Sequence, residues 1–327
     1  MVRYMESKIN IMKQPKDTII SLTGGLGNQL FQLALGLSVA DGGKLSLEWS
    51  LGKPRLNQAN LPEIASFRLP ENVSLARERK SNWLVGKSSG YMLRIGFDPK
   101  GLEKREGVYS IFRWLASIVI SIYFRSFRII HPARKLGYHL LTRGITGNFI
   151  VGYFQSYKWA TTSDVLKSLQ RLEISDESPE LFEISRLSVI ERPLIVHIRL
   201  GDYKNEDSFG VLPQTYYEKS IKKMWESGDY KKIWAFSDEP ELARELLTFV
   251  PRENLRWISQ IDNSASKTLE AMRYGRGYVI GNSTYSWWGA FLSFTPNARV
   301  IAPKPWFRTI PSPQELIPPH WDFEVSW

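Results

Sequence analysis

Apolar runs of strand type alternate with helix-like segments through the second half of the chain, and no other feature constrains the fold as strongly. Strands are predicted at residues 194–199, 232–236, 255–258, 277–281 and 299–302, and helices at residues 213–227, 239–247, 266–274 and 284–293. Strands that alternate with helices of about ten residues form a parallel sheet wrapped by helices. The second half is therefore predicted to be an α/β unit.

The first half begins in the same way. Residues 18–23 are rich in β-branched side chains and predict a strand, which a glycine-rich turn at residues 24–29 and a helix at residues 30–40 follow. Such a turn places backbone N–H groups at a helix N-terminus, where an anion or a polyhydroxyl ligand can bind. It is not the dinucleotide-binding fingerprint, because Leu30 stands where the third glycine is required.

Further elements of the first half follow in sequence. Strands are predicted at residues 44–49 and 148–154, and helices at residues 163–172 and 178–190. We therefore predict two Rossmann-like domains that face a central cleft, with residues 1–175 in the first and residues 176–327 in the second.

Composition excludes several classes of protein. The 327 residues are 43% hydrophobic and 23% charged, which is typical of a soluble globular protein. Cysteine is absent, so the chain has no disulfide framework and no thiolate metal site. Residues 1–16 are polar and carry no apolar run, so we predict a cytoplasmic protein.

Positive charge is concentrated in one segment. Residues 77–143 hold 14 basic and 4 acidic side chains, whereas residues 176–327 carry a net charge of −3. This asymmetry favours an anionic partner near the basic segment. Residues 110–128 predict a helix with basic ends, too short in its apolar part to span a bilayer, which needs ~20 residues. The helix is either buried in its domain or lies on a membrane surface.

Polar side chains follow three predicted strands of the second half. They are Arg199 to Asp202, Ser237 to Glu239, and Asn282, Ser283 and Thr284. The carboxyl ends of parallel strands lie at one edge of a sheet, so these residues can converge on one ligand. A guanidinium with five fixed donors suits phosphate, as does a helix N-terminus. The alternative is that Ser283, Thr284 and Asp238 only cap the helices that follow them.

No metal site is predicted. The chain has four histidines without a His-x-x-x-His pair, and it lacks the Asp-x-Asp tripeptide that commonly holds a divalent cation against a sugar nucleotide. A lone histidine late in an apolar strand, such as His197, is more typical of a hydrogen-bonded core residue. A bound diphosphate would then be neutralised by protein cations, first of all by Arg199. Asp202 is a candidate general base or a cap of its own loop.

Six motifs occur in order along the chain. They are residues 24–32 (Gly-Gly-Leu-Gly-Asn-Gln-Leu-Phe-Gln), 152–156 (Gly-Tyr-Phe-Gln-Ser), 197–203 (His-Ile-Arg-Leu-Gly-Asp-Tyr), 236–238 (Phe-Ser-Asp), 282–290 (Asn-Ser-Thr-Tyr-Ser-Trp-Trp-Gly-Ala) and 300–307 (Val-Ile-Ala-Pro-Lys-Pro-Trp-Phe). Together they resemble the α-1,2-fucosyltransferases of glycosyltransferase family 11. The resemblance runs from about residue 18 to residue 307.

This resemblance implies a GT-B fold whose second domain binds GDP-β-L-fucose and whose first domain chiefly binds the acceptor. It implies inverting transfer to a galactose 2-hydroxyl with no cofactor and no essential metal. By position in the motifs, the resemblance assigns catalytic roles to Arg199, Asn28 and Asp202, and donor-binding roles to His197, Arg199, Gly25, Gly27, Asp238, Asn282, Ser283, Thr284 and Ser286. Asp238 would contact guanine or ribose.

One position departs from the family pattern. Many members carry a second arginine directly after the first, and this chain has Leu200 there. Strand alternation points residue 200 away from residue 199, so the change is expected to affect packing or a secondary contact. Another basic residue that substitutes for it is not evident in the sequence.

Two other functions remain open from the residues alone. The chain could use a different sugar nucleotide, or it could be a non-catalytic basic protein that binds nucleic acid or another anion. The predicted acceptor is a galactose-containing oligosaccharide or a lipid-linked intermediate of bacterial surface polysaccharide, because basic residues surround the helix at residues 110–128. Peripheral membrane contact through residues 77–143 is expected, and a nucleic-acid partner is not.

Overall fold

The computed structural model describes residues 17–50, 54–77, 119, 122, 129–130, 149–176, 178–207, 209–309, 312–313 and 315–327. These residues form two sheets, and the strands in each sheet pair in parallel. The predicted α/β architecture is therefore confirmed.

The first sheet has five strands in the spatial order β3-β2-β1-β5-β4. They are β1 (Thr18–Ser21), β2 (Leu45–Glu48), β3 (Val73–Ala76), β4 (Ile129–Ile130) and β5 (Phe149–Val151). In register, Ile20 of the central strand lies between Leu47 and Ile150, and all three are buried. Short strands of β-branched and leucine residues thus place the glycine turn after β1 at the middle of the sheet edge.

Helix α1 (Leu26–Ala40) begins four residues earlier than the sequence predicts, so the motif Gly27-Asn28-Gln29 lies in its first turn and not in a loop. Gly25 is its N-cap and has no side chain to accept a hydrogen bond. The Glu63 carboxylate accepts the N–H of Leu26 instead, at 2.5 Å. A partner 37 residues away therefore supplies what a local capping side chain usually provides.

The second sheet has six strands in the order β11-β10-β9-β6-β7-β8. They are β6 (Leu194–Ile198), β7 (Ile233–Ser237), β8 (Leu255–Trp257), β9 (Gly277–Val279), β10 (Arg299–Lys304) and β11 (Asp322–Val325). The first five match the predicted strands. The edge strand β11 was not predicted, because only four residues alternate there and prolines precede them.

Helices connect the strands as the alternation predicts. They are α2 (Tyr157–Ala160), α3 (Ser163–Gln170), α4 (Pro179–Glu191), α5 (Gln214–Ser227), α6 (Pro240–Ala243), α7 (Ala265–Met272) and α8 (Thr284–Phe291). The helix predicted at residues 239–247 is only one α-turn, α6, continued by the 3-10 helix Arg244–Leu247.

Strand β6 is buried on both faces and separates two apolar clusters. Leu194, Val196 and Ile198 pack into one of them, whereas Ile195 belongs to the other, which extends into the first sheet. This is the burial expected of a central parallel strand. The strand therefore holds the residues that follow it in a fixed position.

Several predictions concern residues that the structure describes only in part. In the helix predicted at residues 110–128 only Val119 and Ile122 are described, both helical and exposed. The choice between a core helix and a membrane-surface helix stays open, and most of the basic segment 77–143 lies outside the described residues. Among those that are described, no helix is long and apolar enough to cross a membrane. The domain boundary at residue 175 stays a prediction.

Candidate active site

The first turns of α1 and α8 pack against each other, although α1 follows a strand of the first sheet and α8 a strand of the second. The indole Nε1 of Trp288 donates to the carbonyl oxygen of Gly27 at 2.9 Å, and the ring of Phe31 lies 4.8 Å from that of Trp288. A Cβ on residue 27 would lie 2.5 Å from the carbonyl carbon of Thr284, so only glycine fits there. The two motifs that the sequence singled out therefore meet at one place.

Asn28 projects from this contact with its amide fixed. Gln155 Nε2 donates to Asn28 Oδ1 at 2.9 Å, and Thr284 Oγ1 lies 3.5 Å from the same oxygen. Because both neighbours approach the oxygen, the Nδ2 group is the one oriented to donate. Gly24, at a φ of +73°, leaves room for that nitrogen, which would lie 2.5 Å from a Cβ at this position.

The two glutamines of the glycine motif have structural partners. Gln29 Nε2 donates to the carbonyl oxygens of Gly24 and Arg55, and Gln32 Nε2 donates to that of Gly152 at 2.8 Å. Both side chains are fully buried. They hold the turn after β1 to its neighbours.

Arg199 follows β6 and lies between two carboxylates. Its guanidinium is 2.6 Å from Asp202 Oδ1 and 2.9 Å from Asp238 Oδ2, and it lies 5.4 Å from the ring centre of Tyr203. The side chain is 17% exposed. A guanidinium has five N–H donors, so these two contacts leave donors for a further anion.

Asp238 shapes the turn that carries Arg199. Its Oδ1 accepts the N–H of Leu200 at 2.9 Å, and a Cβ on Gly201 would collide with its Oδ2. It does not cap α6, because the N-cap of that helix is Glu239 and no side chain accepts a capping hydrogen bond there. Its predicted contact with guanine or ribose stays a prediction.

Asp202 lies in a 3-10 helix, Gly201–Asn205, and its carboxylate contacts two arginines rather than the backbone of its loop. One oxygen pairs with Arg199, and Oδ2 lies 3.7 Å from NH2 of Arg55, which stands in a loop of the first half, outside the strands. The carboxylate is 57% exposed. It therefore bridges the two halves of the protein.

His197 is a buried, neutral histidine. It is 4% exposed, its Nδ1 has no hydrogen-bond partner among the described residues, and its ring lies 5.9 Å from that of Tyr285. Burial lowers the pKa of His197 to about 4; the charge of Asp238 opposes this shift and that of Arg199 adds to it. Within the described residues, no three acidic or histidine side chains cluster as a metal site would require.

The Asn282 motif is partly structural. Asn282 Nδ2 donates to the carbonyl oxygens of Phe209 and Gly210, and Ser283 is the N-cap of α8, accepting the Tyr285 N–H at 3.3 Å. The hydroxyl of Ser286 is buried and donates to the carbonyl oxygens of Gly281 and Ser283, which precede the helix. Thr284 is the member that remains partly exposed. Donor contacts of all four stay predictions.

Arg55 and Glu63 are two charged residues at this site that the sequence did not reveal. Both lie in a segment of weak periodicity, and long-range contacts place them beside Gly25. Burial raises the pKa of the Glu63 carboxyl, although its bond to the Leu26 N–H and the nearby Arg55 and Arg199 oppose the shift. We call Glu63, Arg55, Asp202, Arg199 and Asp238 the charged junction.

The comparisons with known proteins agree with the motifs. The family model of glycosyl transferase family 11 matches residues 140–315. An α-1,2-colitosyltransferase of Escherichia coli is 29% identical over 300 residues, which cover 88% of this chain and 92% of that protein. The O-antigen biosynthesis glycosyltransferase WbnK of Escherichia coli is 35% identical over 116 residues, 34% of this chain and only 38% of that protein.

Two solved structures show a more distant likeness. The α-1,6-fucosyltransferase NodZ, co-crystallised with GDP, has 13% identity and a TM-score of 0.42 over 85% of this chain and 92% of that chain. The ADP-heptose heptosyltransferase II of Escherichia coli has 14% identity and a TM-score of 0.45 over 95% of this chain and 93% of that chain. The two parallel sheets, with polar residues at their carboxyl ends, form the predicted GT-B architecture. Since the family match covers more than half of its residues, the chain belongs to glycosyl transferase family 11.

Proposed function

We propose that the protein transfers L-fucose from GDP-β-L-fucose to the 2-hydroxyl of a galactoside, with inversion and without an essential metal, in the synthesis of a surface polysaccharide. The relatives support this class of reaction, because one is named for an α-1,2 linkage and the other for O-antigen biosynthesis. The observation that carries the proposal is Arg199, a guanidinium held at the end of β6 close to the first turns of α1 and α8.

The chemistry requires a cation at that place. Transfer of a sugar passes through a state in which positive charge develops on the sugar ring and negative charge develops on the departing diphosphate. Donors that are already oriented stabilise such charge without reorganisation. Arg199 and the N-terminus of α8 at Thr284 are the groups we assign to the diphosphate. This assignment uses protein cations and dipoles in place of a metal ion.

Asn28 is assigned to the reaction centre. Gln155 fixes its amide so that Nδ2 donates, and the residue stands where α1 meets α8. An N–H donor there can orient the acceptor or the oxygen that leaves with the diphosphate. Both oxygens of Asp202 lie near arginines, so we favour a route in which the departing diphosphate accepts the proton of the acceptor hydroxyl.

A second donor deserves an equal test. The relative that this chain matches over 92% of the relative's length is named a colitosyltransferase. Colitose is L-fucose without its 3-hydroxyl. GDP-colitose therefore competes with GDP-fucose as the natural donor. Membership of the family favours a glycosyltransferase over a non-catalytic anion-binding protein.

A donor panel separates these possibilities. The protein is heated with GDP-fucose, GDP-colitose, GDP-mannose or UDP-galactose, and the melting temperature and the hydrolysis of each donor are measured. A ligand at 100 times its Kd stabilises the folded state by about 2.7 kcal/mol, which raises the melting temperature by several degrees. Stabilisation by GDP-fucose or GDP-colitose is expected. Stabilisation by UDP-galactose alone, or by none of the four, would refute the proposal.

A further inference from the structure

We propose that Arg55 is the second cation for the donor diphosphate. In the protein without donor, the Asp202 carboxylate occupies the position of the diphosphate between Arg55 and Arg199, and the donor displaces this carboxylate when it binds. This inference rests on the proposed function and deepens it. Arg55 would then reach the diphosphate from a loop of the first half, opposite Arg199 of the second half.

Residue 200 itself cannot supply that cation. Leu200 is 4% exposed and packs with Val196 and Ile198 in the apolar cluster behind β6. Only its backbone N–H is directed to the charged junction, where Asp238 accepts it. A second cation must therefore come from another part of the chain.

The backbone of Arg55 is fixed beside the glycine turn. Its N–H donates to the carbonyl of Gly24 at 2.8 Å, and its own carbonyl accepts the N–H of Glu63 and the side chain of Gln29, both at 3.1 Å. Three hydrogen bonds to other segments thus anchor a residue that has no regular secondary structure. The side chain passes Gly25, where a Cβ would lie 3.5 Å from its Cδ.

The head group of Arg55, in contrast, is open to a ligand. The side chain is 59% exposed, and its one ion pair among the described residues is the contact of 3.7 Å with Asp202. A fixed backbone with an accessible guanidinium is the arrangement expected of a group that binds an anion. The Asp202 carboxylate lies between the guanidinium groups of Arg55 and Arg199 and pairs with both.

Asp202 differs from the other two carboxylates of the charged junction. Glu63 accepts the backbone N–H of Leu26 and Asp238 accepts that of Leu200, so both carboxylates stabilise the local backbone. Among the described residues, the partners of the Asp202 carboxylate are two arginines, and the side chain is 57% exposed. Guanidinium groups bind carboxylate and phosphate oxygens with the same geometry. A phosphate oxygen can therefore replace the Asp202 carboxylate, which turns to solvent.

The test measures binding of GDP and GMP by titration calorimetry and the KM for the donor. Arg55→Ala is expected to weaken GDP binding and raise the donor KM about 10-fold or more, the effect of one charge-assisted hydrogen bond, and to change GMP binding much less. Arg55→Lys is expected to recover part of the loss. Arg68→Ala, a first-half arginine that is 68% exposed and paired with Glu173, is the matched control.

Asp202→Asn tests the displacement directly. It is expected to strengthen GDP binding several-fold, because the competing charge is removed while the size of the side chain is kept. Circular dichroism of each variant establishes that it folds, and Arg55→Gln replaces Arg55→Ala if the latter does not. Arg55 variants that bind GDP as well as Arg68→Ala, or an Asp202→Asn protein that binds GDP more weakly than wild type, would overturn the inference. Failure of wild type to bind GDP would instead refute the proposed function.

Discussion

The carbonyl oxygen of Gly27 accepts a hydrogen bond of 2.9 Å from the indole of Trp288, and this bond joins α1, which follows the first strand of one sheet, to α8, which follows a strand of the other. The same contact brings Asn28 to Thr284, and Leu26 in the same turn of α1 donates its N–H to Glu63 of the charged junction. The geometry of the candidate active site therefore depends on how closely α1 approaches α8.

Replacing Gly27 by alanine is expected to force the two helices apart. The added Cβ would lie 2.5 Å from the backbone of Thr284, which cannot move as a flexible side chain does. Overpacking of this kind costs about 1–3 kcal/mol, so the melting temperature should fall by several degrees and transfer should be lost. Gly25→Ala is the control for stability, since its Cβ would meet only ordinary contacts at 3.5 Å or more. Equal melting temperatures for the two variants would contradict the account.

Arg199→Ala is expected to reduce turnover by at least about 10- to 100-fold, because it removes charge-assisted hydrogen bonds to the diphosphate. Arg199→Lys keeps the charge but not the planar fork, and should remain well below wild type. Steady-state kinetics with saturating acceptor measures both. Arg186→Ala, a paired surface arginine on α4, serves as the control. Near-normal activity of the lysine variant would refute a bidentate contact.

Leu200→Arg is expected to destabilise the protein without improving donor binding. The new guanidinium would enter an apolar cluster in which residue 200 is 4% exposed, and burial of an unpaired charge costs at least about 3 kcal/mol. Leu200→Met preserves volume and should cost less than about 1.5 kcal/mol. Denaturant unfolding compares the two. A stable Leu200→Arg protein with a lower KM for the donor would show that this position can supply the second cation.

His197 makes stability depend on pH in a defined direction. Burial lowers its pKa from 6.5 to about 4, so between these values the unfolded chain binds a proton that the folded chain does not. The contribution of His197 to the free energy of unfolding is therefore present above pH ~6.5 and is lost as the pH falls toward ~4. The loss amounts to roughly 3 kcal/mol. His197→Gln should flatten this dependence in denaturant unfolding between these limits. The exposed His320→Gln is the control, and a wild-type slope in His197→Gln would contradict the assignment.

Much of the fold could be predicted because its signals are local. Strand β6 and its neighbours are continuous apolar runs, and the polar residues after them mark one edge of the sheet. Alternation also predicted that residue 200 points away from residue 199, and the burial of Leu200 confirms it. The periodicity of apolar residues is sufficient to predict both the strands and the direction of residue 200.

The charged junction could be predicted only in part because it depends on distant contacts. Arg55 lies in a segment without periodicity, and backbone bonds to the glycine turn determine its place. Glu63 caps α1 from 37 residues away, so the start of that helix at Leu26 has no local signal. Glycine at residues 25 and 27 also argues against a helix on propensity, and the tertiary contact with α8 overrides it.

A transfer assay with purified protein tests the proposed α-1,2 transfer itself. GDP-fucose or GDP-colitose is supplied with a β-galactoside acceptor, released GDP is quantified, and the linkage of the product is determined by NMR. Release of GDP and a new α-1,2 linkage to galactose are expected, both strongly reduced in Arg199→Ala. Transfer from a uridine donor only, or a product linked at another galactose hydroxyl, would contradict the proposed transfer.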